Sequence, residues 1–192
     1  MQLKINKSAG LDVIASGCRK GNPKAQTELF NRFSGRFLAI CRRYVGSIDE
    51  AEDIMISGFM KIFEKIHQFK GTGSFEAWMT RIMVNESLTF IRRNKNMSVN
   101  VSIEAADRDP DYKLAETRLD SEQILAMVDD LPIGYRTVFN LYVLEGYGHK
   151  EIGDLLNISE GASKSQLSRA KAQLKRNILS LEEKMKKQNH GK

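Results

Sequence analysis

The run from Gly148 to Arg176, GHKEIGDLLNISEGASKSQLSRAKAQLKR, constrains the fold more than any other stretch, because it reads as two helices around a tight turn. In the first, His149 to Leu156, the residues Ile152, Leu155 and Leu156 share one face, and Gly153 is small enough to let a second helix cross closely. Asn157 then occupies the turn. The residue just past a helix commonly takes a left-handed backbone conformation, and Asn accepts it best after glycine. Ser159 is expected to cap the next helix, where Ser163, Leu167, Ala170, Leu174 and Ile178 recur at helical spacing and should pack inward. The opposite face carries Lys164, Ser165, Gln166, Ser168, Arg169, Lys171 and Lys175. Short polar and amide groups suit base edges in a major groove, and cationic groups suit phosphates. The stretch is predicted to be a DNA-binding helix-turn-helix.

Charge is distributed in blocks. Residues 1–97 carry a net +7, residues 98–134 a net −6 and residues 135–192 a net +5. Two basic halves suited to a polyanion are therefore separated by an acidic segment that DNA would repel. With 192 residues, the chain suits two small domains better than one large one. Its two cysteines, Cys18 and Cys41, are too few for a disulfide framework, so a reduced cytosolic compartment is the default. The histidines His67, His149 and His190 have no Cys or carboxylate at ligand spacing; neither a metal nor any other cofactor is predicted. The N-terminal MQLKINKSAG has no long apolar core and no run of eighteen apolar residues occurs, so a soluble, cytoplasmic protein with no membrane insertion is expected.

The rest of the chain reads as helix after helix, with no strand alternation and no internal repeat. Leu11 to Cys18 gives a first helix, ended by Gly21, Asn22 and Pro23. Lys24 to Val45 gives a second with Leu29, Phe33, Phe37, Ile40, Cys41 and Tyr44 as its apolar stripe, and Gly46 is a natural C-cap. Ser47 and Glu50 form a capping box that opens a third helix to about Phe69, with Ile54, Met55, Phe59, Ile62, Phe63 and Ile66 on its apolar face. After a loop with two glycines, Ser74 caps a fourth helix to about Asn94, with Phe75, Trp78, Met79, Ile82 and Met83 facing a core. Residues 97–112 read as a flexible acidic linker by composition. A second helical unit begins near Lys113; Leu131-Pro132 breaks it before a helix from Ile133 to Glu145, and residues 183–192 form a charged tail expected to fray. The predicted fold is all-α, with a first domain over 8–96 and a second over 113–182.

The segments DEAEDIMISGFMKIFEKI at 49–66 and FKGTGSFEAWMTRIMVNESLTFIRR at 69–93 resemble region two of bacterial sigma factors, and EGYGHKEIGDLLNISEGASKSQLSRAKAQL at 145–174 resembles sigma region four. The matches stand in the family's order and spacing, without regions one and three of the larger members. The chain therefore resembles the compact extracytoplasmic-function (ECF) group of the sigma-70 family. The resemblance implies core RNA polymerase as a partner, through its β′ clamp and β flap, together with double- and single-stranded promoter DNA. It implies that the third helix meets the clamp coiled coil through Asp49, Glu52, Asp53, Ile56, Met60 and Phe63, although Ile56 and Ser57 stand where members commonly have Gln and an acidic residue. By helical spacing, Phe59, Ile62 and Phe63 are expected to be mainly core.

The same resemblance implies that the loop Phe69 to Phe75 captures a base flipped from the minus-10 element. Lys70, Thr72 and Ser74 can offer donors, and Gly71 and Gly73 permit close backbone approach. Arg81, Asn85, Arg92 and Arg93 then suit single-stranded DNA, with Thr89 replacing an often acidic position, and Trp78 is expected in the core. Residues 160–176 become the recognition helix for the minus-35 element, with Gln166 replacing a commonly basic residue. The expected function is that of a non-enzymatic sigma subunit, held in check by an anti-sigma factor and associated with the nucleoid when in holoenzyme. The alternative is a single-component helix-turn-helix regulator with a helical dimerisation or ligand domain. The 69–93 segment discriminates, because a protein that binds only duplex DNA has no need of it.

Overall fold

The computed structural model describes residues 9–94 and 121–189. The chain divides into two compact units, Met1–Asn96 and Met97–Lys192, and the described residues contain helices and no strand. The expected linker at 97–112 and the start of the second unit near Lys113 lie outside the described residues.

The first unit is built from α1 (Leu11–Arg19), α2 (Pro23–Val45), α3 (Ile48–Lys65) and α4 (Phe75–Asn94), with a 3-10 turn at Ile66–Gln68 extending α3. Asn22, which from the sequence only ends α1, also starts α2: its Oδ1 accepts from the Lys24 and Ala25 amides at 2.9 and 3.3 Å, with Pro23 at the first helical position. Gly46 closes α2 at φ 80°, a conformation that would strain any residue with a side chain. The Ser74 hydroxyl accepts from the Ala77 amide at 3.3 Å and caps α4 as predicted, and the Ser47 hydroxyl accepts from the Glu50 amide at 3.4 Å, which is the N-cap half of the predicted capping box.

The core between these helices contains Leu29, Phe37, Tyr44, Ile62, Ile66, Met79, Met83, Leu88 and Ile91, all fully buried. Each large apolar side chain of this kind contributes about 1.5–3 kcal/mol on burial. Phe59 joins α2 to α3, with ring centroids 4.8 Å from Phe30 and 5.5 Å from Phe37. On the rim, Lys61 of α3 pairs with Glu86 of α4 at 2.6 Å, and Arg36 of α2 pairs with Glu76 of α4. Cys18 and Cys41 are buried free thiols, and burial pushes each up to about 11, which leaves little of the reactive thiolate.

The second unit contains α5 (Ser121–Asp129), α6 (Ile133–Phe139), α7 (His149–Leu156) and α8 (Glu160–Asn189). The helix expected from Ile133 to Glu145 is α6 followed by a π-helical turn over Asn140–Leu144. The charged tail is helical as far as Asn189, so α8 runs thirty residues rather than stopping near 182. Val128 and Leu131 pack with Ala170 and Leu174, supported by Met127, Tyr135 and Phe139. No helix among the described residues is long and apolar enough to cross a membrane, and no group of three or more His, Cys, Asp or Glu among them could hold a metal ion.

Candidate nucleic-acid interface

Each signal read from the turn between α7 and α8 has a structural counterpart. Asn157 takes the left-handed conformation, φ 56° and ψ 47°, and the Ile158 amide donates to the Gly153 carbonyl at 3.0 Å. A Cβ placed on Gly153 would lie 2.8 Å from the Ile158 carbonyl oxygen, so only glycine lets the turn fold this tightly against α7. The Ser159 hydroxyl accepts from the Ala162 amide at 3.0 Å and caps α8. Across the motif, His149 Nδ1 meets Ser163 Oγ at 2.9 Å while its ring stacks on Tyr142 at 4.5 Å.

Burial lowers the His149 pKa below the ordinary histidine value; Lys164 and Lys171 add to this, and Glu160 opposes it. The unfolded chain therefore binds this proton more readily than the folded one. Stability of the second unit should be flat above about pH 6.5 and fall as pH drops below it. Unfolding midpoints measured across this range should lose part of that slope in His149→Gln; an unchanged slope would assign it to other groups.

The inward face of α8 is made by Ser163, Leu167, Ala170 and Leu174, all buried, with Ile178 half-buried. Facing solvent or partly so are Lys164, Ser165, Ser168, Arg169, Lys171 and Lys175. Lys164 is held by Glu160 at 2.7 Å, an exposed pair that water weakens and a phosphate or base edge can displace. Gln166 is a correction. It is 1% exposed, and neither its amide nitrogen nor its amide oxygen has a hydrogen-bond partner, so it does not stand on the DNA-facing side. The reason is its register, three residues after Ser163 and four before Ala170, on the same inward stripe. An amide buried without a partner costs about 1–3 kcal/mol. Gln166→Met should therefore raise the unfolding midpoint of the second unit and leave base preference unchanged; a changed promoter preference would return Gln166 to the DNA face.

In the first unit, α3 presents an unbroken exposed stripe. Asp49, Glu52, Asp53, Ile56 and Met60 are exposed, and Phe63 is half-buried. Phe59 and Ile62 belong to the core as the spacing predicts, whereas Phe63 is shared between core and surface. Ile56 and Met60 are 51% and 68% exposed, so their apolar surface is not consumed by the fold. Beside the stripe lies a cleft of about 300 Å³, lined by Asp53 and Ser57 of α3 and by Glu86, Thr89, Phe90 and Arg93 of α4, among others.

Lys70, Gly71, Thr72, Gly73 and Ser74 form a fully exposed loop between α3 and α4, with Gly71 at φ 76° and Gly73 at φ 104°. Its roots are packed. Phe69, Phe75 and Trp78 form a triangle with centroids 5.1 to 5.6 Å apart. Trp78 is half-buried, so its ring closes the base of the loop rather than lying deep in the core. The Ser74 hydroxyl serves as the α4 cap, which leaves its proton free to donate outward.

Along α4, Arg81, Asn85 and Arg92 are exposed and lie on one face by their spacing of four and seven residues. Arg92 folds back on its own helix, donating to the Leu88 carbonyl at 3.3 Å and to Thr89 Oγ1 at 3.4 Å. Arg93 stands apart, about 100° round the helix on ideal geometry, and lines the cleft with Asp53. Three features escaped the sequence reading. Arg19 at the end of α1 contacts the loop root, Glu86 pairs with Lys61, and Tyr142, Val143 and Leu144 are exposed on the π-helical turn. No periodic signal marks the first two, since both depend on contacts between helices.

Comparison with known families agrees with this arrangement. Residues 29–97 match Sigma-70 region 2, and residues 121–174 match Sigma-70, region 4. The chain belongs to the sigma-70 family. It is 26% identical over 176 residues to the ECF RNA polymerase sigma factor SigW of Bacillus subtilis, covering 85% of this chain and 94% of that one. It is 27% identical over 154 residues to the ECF sigma factor SigE of Mycolicibacterium smegmatis, covering 77% of this chain but only 59% of that longer protein. Among solved structures, the sigma factor RpoE of Bartonella quintana, determined in complex with the anti-sigma factor NepR, shares the fold. Its TM-score is 0.50 at 22% identity over 80% of this chain and 96% of that one. These relatives place this sigma-70 protein in the ECF group, which is not a class of enzymes. Its region 2 holds α3, the loop and α4; its region 4 holds the helix-turn-helix.

Proposed function

We propose that three surfaces divide the work of a sigma subunit that directs core RNA polymerase to promoters. The α3 stripe from Asp49 to Phe63 binds polymerase. The α8 face from Lys164 to Lys175, without Gln166, reads the minus-35 element on duplex DNA. The loop Lys70 to Ser74, with Arg81, Asn85 and Arg92 along α4, takes the single strand at minus-10, while Arg93 serves the α3 side. The observation that carries this reading is the loop: exposed throughout, set by two glycines at positive φ and rooted on an aromatic triangle, it has no use in a protein that binds only duplex DNA. The protein acts without catalysis of its own, in the cytoplasm where the nucleoid and polymerase are. The β flap meets region 4, and an anti-sigma factor of the kind seen with the Bartonella quintana relative is the fitting antagonist.

Pull-down with core polymerase, followed by transcription from promoters recovered by sequencing DNA bound to the holoenzyme, tests the assignment. Absence of polymerase binding would sink it. Within that system, Lys164→Ala should relax discrimination at one minus-35 base by about 1–3 kcal/mol, whereas an equal loss on every sequence would make Lys164 a phosphate contact.

A further inference from the structure

We propose that Arg19, which lies outside all three surfaces, is a positioning residue for the base-capturing loop; the inference rests on the reading of Lys70 to Ser74 as that loop. Arg19 ends α1, and its guanidinium donates from Nη2 to the Phe69 carbonyl at 2.8 Å and from Nε to the Ile66 carbonyl at 3.4 Å. Its Cζ also lies 5.8 Å from the centroid of the Phe69 ring. One planar cation thus holds two carbonyls and an aromatic face across roughly fifty residues of sequence. Ile66 opens the 3-10 turn that finishes α3, and its carbonyl also accepts from the Phe69 amide at 3.3 Å; Phe69 follows that turn, so both carbonyls sit at a helix C-terminus, where the dipole favours a cation.

Phe69 is therefore gripped from two directions, by Arg19 and by the Phe75 and Trp78 rings. Beyond it the chain has no such support. Lys70 to Ser74 are exposed, and a Cβ at Gly71 or Gly73 would meet nothing within 4 Å. The loop is held at its two ends, by the Ser74 cap on α4 and by Arg19 at Phe69. Without the second anchor, the root must be ordered at the moment a base is captured, and that entropy is charged to capture alone. A lysine keeps the charge but lacks the planar fork of donors that reaches both carbonyls while lying over the ring face.

The test uses holoenzyme assembled with wild-type protein, Arg19→Ala and Arg19→Lys. The probes are twelve-nucleotide non-template strands spanning the minus-10 region of a promoter that the wild-type holoenzyme transcribes, together with versions carrying one abasic site at each position in turn. Wild type should lose affinity sharply at one abasic position. Arg19→Ala should bind the intact strand about tenfold more weakly, match wild type on that abasic strand, and keep its affinity for core polymerase and minus-35 duplex. Arg19→Lys should resemble Arg19→Ala, which also guards against a fold defect peculiar to alanine. Equal weakening on intact and abasic strands would overturn the inference and make Arg19 a phosphate contact or a general prop, as would no weakening on either. A wild type indifferent to every abasic site would overturn the capture reading itself and this inference with it, whereas a wild-type penalty retained in Arg19→Ala would overturn only the inference.

Discussion

Replacing Gly71 and Gly73 together by valine should leave minus-35 duplex binding intact and reduce strand opening by at least about tenfold. The two glycines stand at φ 76° and φ 104°, and the second value is one that residues with a Cβ almost never adopt. Open space surrounds both positions, so the loss comes from the backbone and not from a clash. Each strained residue costs about 1–3 kcal/mol, and the chain escapes that cost only by leaving the conformation the loop holds now. Valine is the severe choice because its branched Cβ resists positive φ most. Permanganate reactivity around the start site reads the outcome. Normal opening in the double variant, with polymerase affinity unchanged, would mean that the loop's backbone shape plays no part in melting.

Ile56→Ala combined with Met60→Ala should lower affinity for core polymerase about thirtyfold or more, since truncating a central apolar anchor of an interface typically costs 2 kcal/mol or above. Both side chains are more than half exposed, and alanine is the strongest helix former, so the unfolding midpoint should hardly move. Those two conditions separate an interface effect from a folding effect. Neutralising Asp49, Glu52 or Asp53 one at a time should act differently, mainly on the association rate and its dependence on salt. A double alanine variant that binds polymerase normally would show that the apolar half of the stripe is idle. Binding would then rest on the acidic residues.

Local features of this chain were legible because their causes are local. The left-handed Asn157 and the N-cap hydroxyls of Ser47, Ser74 and Ser159 each depend on a few neighbouring residues and appear as expected, whereas Gly153 makes room chiefly for the Ile158 carbonyl of the turn and not for a crossing helix. The apolar stripes of α2 and α3 follow from a period of 3.6 residues, and the buried residues agree with them. On α4 the stripe extends further than expected, through Val84, Leu88 and Ile91, because that helix is packed against both α2 and α3 and its apolar arc is broad.

Gln166 shows where such reading stops. Its chemistry suits a base edge, but its register puts it beneath the surface of α8, and register outranks chemistry once a helix is packed on one side. Arg93 shows the same limit in milder form: one residue beyond Arg92, it turns toward α3 and a cleft instead of joining the row of Arg81 and Asn85. Arg19 could not be found from sequence, because its partners are backbone carbonyls roughly fifty residues away.

By itself the sequence determined that this is an all-helical protein with a helix-turn-helix, a glycine-set loop before a cationic helix, and an acidic block between two basic ones. Helical period, capping chemistry and charge are properties of short runs of residues. Only the tertiary structure decided which polar residues remain available to DNA, that Ile56 and Met60 stay uncovered while Phe59 and Ile62 do not, and that the loop is anchored by Arg19. Those outcomes depend on which faces the packed helices cover, and that is settled only by contacts between residues far apart in the chain.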